Sequence, residues 1–567
     1  MTAEEKALVW TKDPFSEEVR ETVKAMMSFD KKELYESFYK DIDFGTGGMR
    51  GIMGIGTNRI NVYTLGLASE GLSRYLKKQF PQEEIRIAIA NDTRNQSDEF
   101  TKAISSVFSA HGFKVFLFKD FAPTPLLSYA VRQLKCHAGI VLTASHNPPE
   151  YNGYKVYWND GGQIVPPHDK AIINEVRNTK YADIRFEGNT DNITLISDEL
   201  HQSYFEKING LSIHHAGKKN IKIVFTPLHG TTVDILPKAL IAAGFQPPLM
   251  VKHQATPDGN FPTVASPNPE EASALKDAVK MAEDECADMV IGTDPDGDRI
   301  GIGVRDNKGE ITLLNGNQVA AVMVRYLLRE HSANGTLPKN GFVAKTIVTT
   351  NLIEEIAKTF NTDCKSCLTG FKWIAKLIRE NEGVQTFIGG GEESYGYLVG
   401  DFVRDKDSIV SAVVLAEIVA WAKQRGSSFW NELIEIYKQY GYYHDQLFSL
   451  TLKGSEGARK IESMMENLRS NPPEEIMGQK VKLVKDYSSL TDYNLVTGDR
   501  SEFEFERSNV IQIFTQNGTR ITARPSGTEP KIKFYFSIVM DMLPGTDLES
   551  YIKKGENLVE DAIEMLL

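Results

Sequence analysis

The chain has 567 residues, too many for a single hydrophobic core, so we expect several domains. Its 64 basic and 76 acidic residues give a formal net charge of −12, which disfavours nucleic acid and membrane surfaces as partners but leaves small anionic ligands open. Four cysteines and an acidic N-terminus without an apolar signal segment favour the cytoplasm.

The first forty residues are charged and follow a helical period, which predicts a helical extension. Beyond it one unit recurs three times, in which an apolar strand runs into a polar loop and a helical stretch follows. These units begin near residues 85, 221 and 341. Strands that alternate with helical periods are typical of βαβ units, so the sequence predicts an α/β fold with mostly parallel sheets.

Each unit ends with a further apolar strand, a polar loop and another strand. The three loops are TASHNP (143–148), GTDPDGDR (292–299) and GGGEESYG (389–396). After about residue 440 the pattern changes to alternating strands and a final helical period, which predicts a smaller α+β domain. The predicted domains are 1–208, 209–315, 316–440 and 441–567.

The loop TASHNP places a serine beside a histidine. Ser145 can act as a nucleophile, because a base such as His146 or a metal ion makes a serine hydroxyl reactive. It can equally be a turn residue, since Ser and Asn favour turns and the residue before a proline is held extended. No G-x-S-x-G motif surrounds it, which argues against Ser–His–Asp hydrolysis.

The second loop places three aspartates at alternate positions, Asp294, Asp296 and Asp298. Clustered carboxylate oxygens suit Mg²⁺ better than zinc. The same spacing opens an EF-hand, but that motif requires glycine and glutamate at the positions of Arg299 and Arg305. An acidic turn that satisfies its own backbone is the remaining alternative.

The third loop combines carboxylates and a hydroxyl on a glycine-supported turn. Glu392, Glu393 and Ser394 are suited to hydrogen bonds with sugar hydroxyl groups. A solvated turn would have the same composition, so these three residues alone leave both interpretations open.

A fourth loop, RPSGTEP, begins at Arg524 near the C-terminus. A guanidinium beside hydroxyls and accessible backbone N–H groups, here those of Ser526, Gly527 and Thr528, is suited to a phosphate. An exposed basic turn would look similar. The chain has no Walker A motif, which argues against a P-loop kinase.

The four loops TASHNP, GTDPDGDR, GEESYG and RPSGTEP, in this order and spacing, resemble the α-D-phosphohexomutase superfamily over nearly the whole chain. FGTGGMRG (44–51) is similar to the superfamily's substrate loop, with Arg50 as its arginine. NGYKVYWNDGGQIVPPHDK and LTGFKWI (368–374) are similar to its phosphoglucomutase/phosphopentomutase branch. Four ordered motifs are far more specific than any one of them.

The resemblance implies three related mixed α/β domains and a smaller C-terminal α+β domain around a central cleft. It implies an isomerase, an intramolecular phosphotransferase that interconverts glucose 1-phosphate and glucose 6-phosphate. Ser145 would carry the phosphoryl group, and glucose 1,6-bisphosphate would be both intermediate and activator. The phosphoserine would hold one Mg²⁺ together with Asp294, Asp296 and Asp298.

The resemblance also implies roles for further residues. Lys155 and Lys406 match lysines near the transferred phosphate, and Arg299 matches the arginine after the metal loop. His146 and Lys406 are both candidates for the general base. The expected substrate-binding residues are Arg50, Arg299, Gly370, Phe371, Lys372, Glu392 and Ser394, with Arg524, Ser526, Gly527 and Thr528 at a distal phosphate.

Several alternatives stay open at this level. The loop GEESYG lacks the histidine of the GEMSGH form found in dual mannose/glucose enzymes, so mannose phosphates are secondary substrates. Pentose phosphates and sugar-bisphosphate synthesis are further outcomes within the superfamily. A metal-dependent sugar phosphatase is the rival from another class, and a sensor without activity is disfavoured because Ser145 and the aspartates are all present. The sequence leaves the oligomeric state undetermined.

Overall fold

The computed structural model describes residues 1–45, 47–452, 454–526, 530–543 and 547–567. These residues form two compact units. Unit 1 comprises Met1–Gly316 and Phe371–Phe429, and unit 2 comprises Asn317–Gly370 and Trp430–Leu567. The four domain boundaries set out above stay a prediction.

Three helices open the chain and confirm the expected helical extension: α1 (Ala3–Val9), α2 (Glu17–Phe29) and α3 (Lys31–Phe38). Each helix has a side-chain cap, because Thr2, Ser16 and Asp30 accept a hydrogen bond from the N–H three residues ahead. Their apolar faces form a small core together with Tyr63, in which Trp10 stacks on Phe15 with 4.3 Å between the ring centroids.

The first sheet has the strand order β1-β5-β4-β2-β3-β6. Strand β2 pairs in parallel with β3 and β4, whereas β5 runs antiparallel to β4 and to β1. Its strands are β1 (Gly48–Ile52), β2 (Arg86–Asn91), β3 (Lys114–Leu117), β4 (Ala138–Leu142), β5 (Tyr151–Trp158) and β6 (Ile193–Leu195). The helices of this region are α4 (Val62–Gln79), α5 (Ser97–Ala110), α6 (Thr124–Gln133), α7 (His168–Arg177) and α8 (Glu199–Asn209).

The second sheet repeats this plan with the order β11-β10-β9-β7-β8. Strand β7 pairs in parallel with β8 and β9, and β10 runs antiparallel to β9. Its strands are β7 (Ile223–Thr226), β8 (Leu249–Met250), β9 (Met289–Thr293), β10 (Ile300–Arg305) and β11 (Ile311–Leu313). Two helices accompany it, α9 (Thr232–Ala242) and α10 (Ala272–Asp284).

The third repeat is divided between the two compact units. In unit 2, helix α11 (Gly316–Ala333) leads to β12 (Gly341–Thr346), α12 (Leu352–Thr359) and β13 (Asp363–Cys367), and β12 pairs in parallel with β13. In unit 1, α13 (Phe371–Glu380) precedes the antiparallel pair β14 (Thr386–Glu392) and β15 (Gly396–Val399). Helices α14 (Ser408–Gln424) and α15 (Phe429–Tyr440) follow. Among the described helices, none has the length and apolarity needed to cross a bilayer.

The C-terminal part of unit 2 is an antiparallel sheet in the order β16-β23-β22-β21-β18-β19-β20, with β17 on β18. Its strands are β16 (Tyr442–Thr451), β17 (Glu475–Ile476), β18 (Gln479–Asp486), β19 (Thr491–Asn494), β20 (Arg500–Glu502), β21 (Ile511–Thr515), β22 (Arg520–Pro525) and β23 (Lys531–Met540). Helices α16 (Gly454–Ser470) and α17 (Leu548–Leu566) complete the smaller α+β domain that the sequence predicts.

Each of the three loops joins two antiparallel strands. We call residues 143–148, between β4 and β5, the serine loop, and residues 292–299, between β9 and β10, the metal loop after its three aspartates. Residues 389–396, at the turn between β14 and β15, are called the sugar loop after the contacts expected of them. The expected strand–loop–strand ending of each repeat is therefore confirmed. In the first sheet three of the five strand pairs are parallel, as expected, whereas the second sheet has two parallel and two antiparallel pairs. In both repeats the polar loop reverses the chain, so each sheet is mixed.

Candidate active site

The serine loop follows β4, whose residues are all buried. Ser145 has a positive φ of 55°, in the left-handed region, and its N–H donates to Thr143 Oγ1 at 2.8 Å. Its side chain is buried, with Oγ 3.0 Å from Asp294 Oδ2 and 3.1 Å from His146 Nδ1. The structure thus brings the predicted serine and histidine against the first of the predicted metal ligands.

The three aspartates of the metal loop converge as the sequence predicts. Ligand oxygens from Asp294, Asp296 and Asp298 all lie within 4.8 Å of one another, and the three side chains are at most 2% exposed. Asp294 Oδ1 accepts the backbone N–H groups of Asp298 and Arg299, at 3.0 and 2.9 Å. Within the part of the chain described here, Asp296 Oδ1 and Asp298 Oδ1 have no hydrogen-bond partner. Buried oxygens of this kind fit a divalent cation.

Two lysines supply the positive charge around these carboxylates. Lys155 Nζ lies 2.7 Å from Asp296 Oδ2 and 3.1 Å from Asp298 Oδ2, and Lys406 Nζ lies 3.0 Å from Asp298 Oδ2. Burial raises the pKa of Asp298, but the charges of Lys155 and Lys406 outweigh it and hold that pKa below its usual range. For Asp294, burial and the neighbouring aspartates raise the pKa well above its usual value. Both predicted lysines therefore belong to the charged centre.

His146 is half-buried beside Ser145. Burial, followed by the charges of Arg299 and Arg50, lowers the pKa of His146 to about 3. Its imidazole is therefore neutral near pH 7, and the lowered pKa makes it a weaker base than an ordinary histidine. Lys406, the other candidate for the general base, contacts the carboxylates of Asp298 and Asp405 rather than Ser145.

Two predicted arginines lie at the edges of this centre. Arg50 is exposed on β1 and donates from Nη1 to Asn147 Oδ1 of the serine loop, at 3.0 Å. Arg299 pairs with Glu270. Burial lowers the pKa of Arg299, but the charges of Glu270 and Asp298 outweigh burial and hold that pKa above its usual value. Both guanidinium groups are thus positioned by contacts within unit 1.

The sugar loop is tied to the metal loop by its backbone, because the N–H of Ile300 donates to the carbonyl of Tyr395 at 3.0 Å. Glu392 is buried at the end of β14, and Ser394 is half-buried. Lys406 packs directly against Gly396 of the sugar loop, because a Cβ on this glycine would lie 2.0 Å from Lys406 Cδ. Carboxylate, hydroxyl and ammonium groups therefore occur within one small region.

The remaining predicted substrate residues fall into three groups. Phe371 is brought to the centre, with its ring centroid 5.7 Å from Lys406 Nζ. Lys372 lies near Asp169. Burial lowers the pKa of Lys372, and the charge of Asp169 offsets only part of this shift. Gly370, Arg524 and Ser526 belong to unit 2, whereas Gly527 and Thr528 lie outside the described residues.

Sequence reasoning missed the residues that hold these loops in place. Arg94 donates to backbone carbonyls of the serine loop, Thr124 Oγ1 donates to Asp296 Oδ2 at 3.1 Å, and Tyr157 OH donates to Asp405 Oδ2 at 2.7 Å. One signal was available for Arg94, which follows β2. Strands β2 and β4 are adjacent and parallel, so residues after both strands meet at the same sheet edge.

Comparisons with known proteins agree with the geometry. The family models for phosphoglucomutase/phosphomannomutase match in three stretches: alpha/beta/alpha domain I at residues 41–183, domain II at 202–309 and domain III at 315–440. A phosphoglucomutase from Staphylococcus aureus (strain MRSA252) is 40% identical over 510 residues, which cover 89% of this chain and 91% of that relative.

Two solved structures share the fold. One is a phosphoglucomutase/phosphomannomutase family protein from Burkholderia thailandensis, with a TM-score of 0.66, 17% identity, and coverage of 92% of this chain and 97% of that chain. The other is parafusin, a phosphoglucomutase from Paramecium in its open form, with a TM-score of 0.66, 17% identity, and coverage of 92% and 96%. At such identities the likeness concerns the fold alone, and it confirms the predicted α/β fold class.

Proposed function

The chain belongs to the phosphoglucomutase/phosphomannomutase family, and we propose that it interconverts glucose 1-phosphate and glucose 6-phosphate through a phosphoserine at Ser145. One observation carries this proposal: Ser145 Oγ lies 3.0 Å from Asp294 Oδ2, at the edge of a buried three-carboxylate cluster. The preference for glucose is supported by the 40% identity to a phosphoglucomutase over 89% of the chain.

Asp294, Asp296 and Asp298 would hold one Mg²⁺ together with an oxygen of the phosphoserine. This assignment is supported by the two buried carboxylate oxygens that lack partners among the described residues, and by a purely oxygen donor set. The ion, when bound, neutralises phosphoryl charge and acts as a Lewis acid. Lys155, in contact with two of the aspartates, adds a fixed positive charge beside the transferred group.

The transfer consists of two displacements at phosphorus. First, the 6-hydroxyl oxygen of glucose 1-phosphate bonds to the phosphorus on Ser145, the Oγ–P bond breaks, and glucose 1,6-bisphosphate forms. The proton of that hydroxyl passes to His146 Nδ1 and then to Ser145 Oγ. After the bisphosphate reorients, Ser145 Oγ bonds to the phosphorus on O1, the bond from that phosphorus to O1 breaks, and the serine hydroxyl proton passes through His146 to O1. Glucose 6-phosphate then leaves. His146 is favoured over Lys406 as the base because its Nδ1 lies 3.1 Å from Oγ.

We assign the sugar contacts to Glu392 and Ser394, with Phe371 and Lys372 beside them, and the distal phosphate to the loop that begins at Arg524. The charge of Glu392 acts on Lys406, and Ser394 carries a hydroxyl two residues before Gly396, which packs against Lys406. Carboxylate, hydroxyl and ammonium groups are suited to hydrogen bonds with sugar hydroxyls. Arg524 supplies a guanidinium, whose paired donors match the oxygens of a phosphate.

The decisive assay combines the protein with Mg²⁺, glucose 1-phosphate and a trace of glucose 1,6-bisphosphate, and follows glucose 6-phosphate and free phosphate together. We expect glucose 6-phosphate without phosphate release, and no turnover by the Ser145→Ala variant. Free phosphate as the main product would instead identify a sugar phosphatase. Normal turnover by Ser145→Ala would exclude the phosphoserine mechanism. Parallel assays with mannose 1-phosphate and ribose 1-phosphate measure the sugar preference.

We further propose that the protein acts in the cytoplasm on free sugar phosphates. All four cysteines are free thiols, which supports a reducing compartment. Fractionation of cells expressing the tagged chain tests this localisation.

A further inference from the structure

We propose that Arg94 is a positioning residue for Ser145, and that the segment 92–94, here called the strut, fixes the serine loop relative to the metal loop. The inference rests on the proposed function, because it treats Ser145 as the carrier of the phosphoryl group. None of the three residues of the strut was among the predicted site residues.

Arg94 holds the serine loop by its backbone. Its side chain is fully buried, and its guanidinium donates to four backbone carbonyls. Nη2 donates to the carbonyls of Ser145 and Asn147, at 2.8 and 2.5 Å. Nη1 donates to those of Pro148 and Tyr151, at 2.8 and 2.9 Å. One rigid group therefore binds both sides of the turn that carries the nucleophile.

A planar guanidinium suits this task for a physical reason. Ser145 has a positive φ and lies outside the strands, so the carbonyls of its turn need donors other than a strand ladder. Arginine offers five N–H donors in a fixed plane, whereas the lysine ammonium has three donors on a flexible stem. Lysine at position 94 would leave part of the turn without hydrogen bonds, while keeping the positive charge.

The arginine is itself held in one orientation. Arg94 Nε lies 3.2 Å from Asp92 Oδ2, and the backbone N–H of Arg94 donates to Asp92 Oδ1 at 2.9 Å. The guanidinium carbon lies 5.1 Å from the ring centroid of Phe261. Charge, backbone and aromatic contacts thus constrain the same group.

Thr93 links this arrangement to the metal loop. Its Oγ1 donates to the carbonyl of His229 at 2.9 Å. The same turn presents Thr231, whose N–H and Oγ1 both donate to the carbonyl of Pro295, at 2.8 and 2.9 Å. Gly230 packs so closely that a Cβ there would lie 2.5 Å from Pro295 Cα. The strut therefore connects Ser145 to the backbone between the first two aspartates.

Arg94→Lys should slow phosphoryl transfer about 100-fold, because displacement of a reacting group by about 1 Å has an effect of this size. The KM for glucose 1-phosphate should change less than about threefold, since the buried side chain does not reach solvent. The Mg²⁺ affinity should stay near that of the parent, because the three aspartates are unchanged.

The test measures the single-turnover rate of transfer from the phosphorylated protein to glucose 1-phosphate, divided by the phosphoserine content from intact mass spectrometry. Arg305→Lys is the matched control. Arg305 also donates to three backbone carbonyls, those of Ala282, Ala287 and Gly309, but at the end of β10 away from the metal loop. This control should lower the melting temperature and keep the transfer rate per phosphoserine.

A parental transfer rate per phosphoserine in Arg94→Lys would overturn the inference, whatever its melting temperature. If Arg94→Lys does not fold, Thr93→Val decides, because it removes only one hydrogen bond of the strut. We expect its transfer rate to fall about tenfold, and an unchanged rate would overturn the proposed link. Absence of phosphoserine in the parent protein would contradict the proposed function instead, so the two failures are distinguishable.

Discussion

The carboxylate of Asp298 receives two ammonium groups within 3.1 Å, those of Lys155 and Lys406. These charges keep its pKa below the usual range despite burial. A carboxylate must be deprotonated to bind a divalent cation. The lysines therefore keep Asp298 in the charged form that the proposed Mg²⁺ site requires.

Asp298→Asn should lower the affinity for Mg²⁺ at least tenfold. Loss of a residue that merely hydrogen-bonds a metal ligand typically lowers the metal affinity by about 10- to 100-fold, and this substitution removes an anionic ligand itself. Isothermal titration calorimetry with Mg²⁺ on the dephosphorylated protein measures the change. Asp284→Asn is the control, since Asp284 is exposed and pairs with Lys280 at 3.4 Å. Equal affinities for all three proteins would remove Asp298 from the metal site.

Gly153 lies between the serine loop and the strand that carries Arg50. A Cβ at this position would lie 2.5 Å from the carbonyl oxygen of Thr143 and 2.6 Å from that of Met49. Gly153→Ala should therefore lower the free energy of unfolding by about 1–3 kcal/mol, the usual effect of overpacking. Urea denaturation measures it.

Gly210→Ala is the control for this substitution, because a Cβ there would lie 3.4 Å from its nearest neighbour, the carbonyl oxygen of Lys207, which is an ordinary van der Waals distance. We expect that change to alter the free energy of unfolding by less than about 0.5 kcal/mol. If the two variants were equally stable, the close approach at Gly153 would have no energetic consequence.

Helix α14 shows how one buried element is anchored at its start. Residues Ser408 to Ala422 are buried, and Asp407 caps the helix by accepting the N–H groups of Ile409 and Val410, at 2.9 and 3.0 Å. Tyr204 OH donates to the second carboxylate oxygen at 2.6 Å. Burial nevertheless raises the pKa of Asp407 to about 6, because these hydrogen bonds offset only part of the desolvation.

This shift predicts a pH dependence with a definite sign. The pKa of Asp407 rises from about 3.9 in the unfolded chain to about 6 in the folded chain, so the native state binds the proton more tightly. Its contribution to stability is greatest below about pH 4 and is lost as the pH rises through 6. A shift of about two units corresponds to about 3 kcal/mol.

Asp407→Asn should therefore gain stability relative to the parent by about 3 kcal/mol between pH 4 and pH 7. Urea denaturation of both proteins across this range gives the difference in the free energy of unfolding at each pH. Other titrating groups cancel in that difference. A constant difference across the range would show that Asp407 has an ordinary pKa.

The sequence predicted the elements that depend on local pattern. The strand–loop–strand endings follow from apolar runs around polar loops, and the positions of Ser145 and the aspartates follow from those loops. The family resemblance implied that the serine and the aspartates meet, but the sequence did not predict the other contacts between distant segments. Glu417 appears in the sequence only as a charge in an apolar helix, whereas in the fold its carboxylate pairs with Lys218 at 2.8 Å and accepts the N–H of Ile213. Such partners are about 200 positions away and cannot be read from a local pattern.

At the scale of the whole molecule, the residues assigned to chemistry and those assigned to the distal phosphate belong to different compact units. The serine, the three aspartates and both lysines are in unit 1, and so are Glu392 and Ser394. Arg524 and Ser526 are in unit 2, on and just after β22. This division predicts that phosphate recognition and metal binding respond separately to substitution.

Arg524→Ala should raise the KM for glucose 1-phosphate at least tenfold, because a charged hydrogen bond of about 1.5–3 kcal/mol is lost. The Mg²⁺ affinity and the phosphoserine content should match the parent, since their residues belong to unit 1. Arg507→Ala is the control: Arg507 is exposed in the same unit and donates to the carbonyl of Ser488. Steady-state kinetics and calorimetry separate the outcomes. An unchanged KM would remove Arg524 from the phosphate site, whereas a loss of Mg²⁺ affinity would contradict the division of roles.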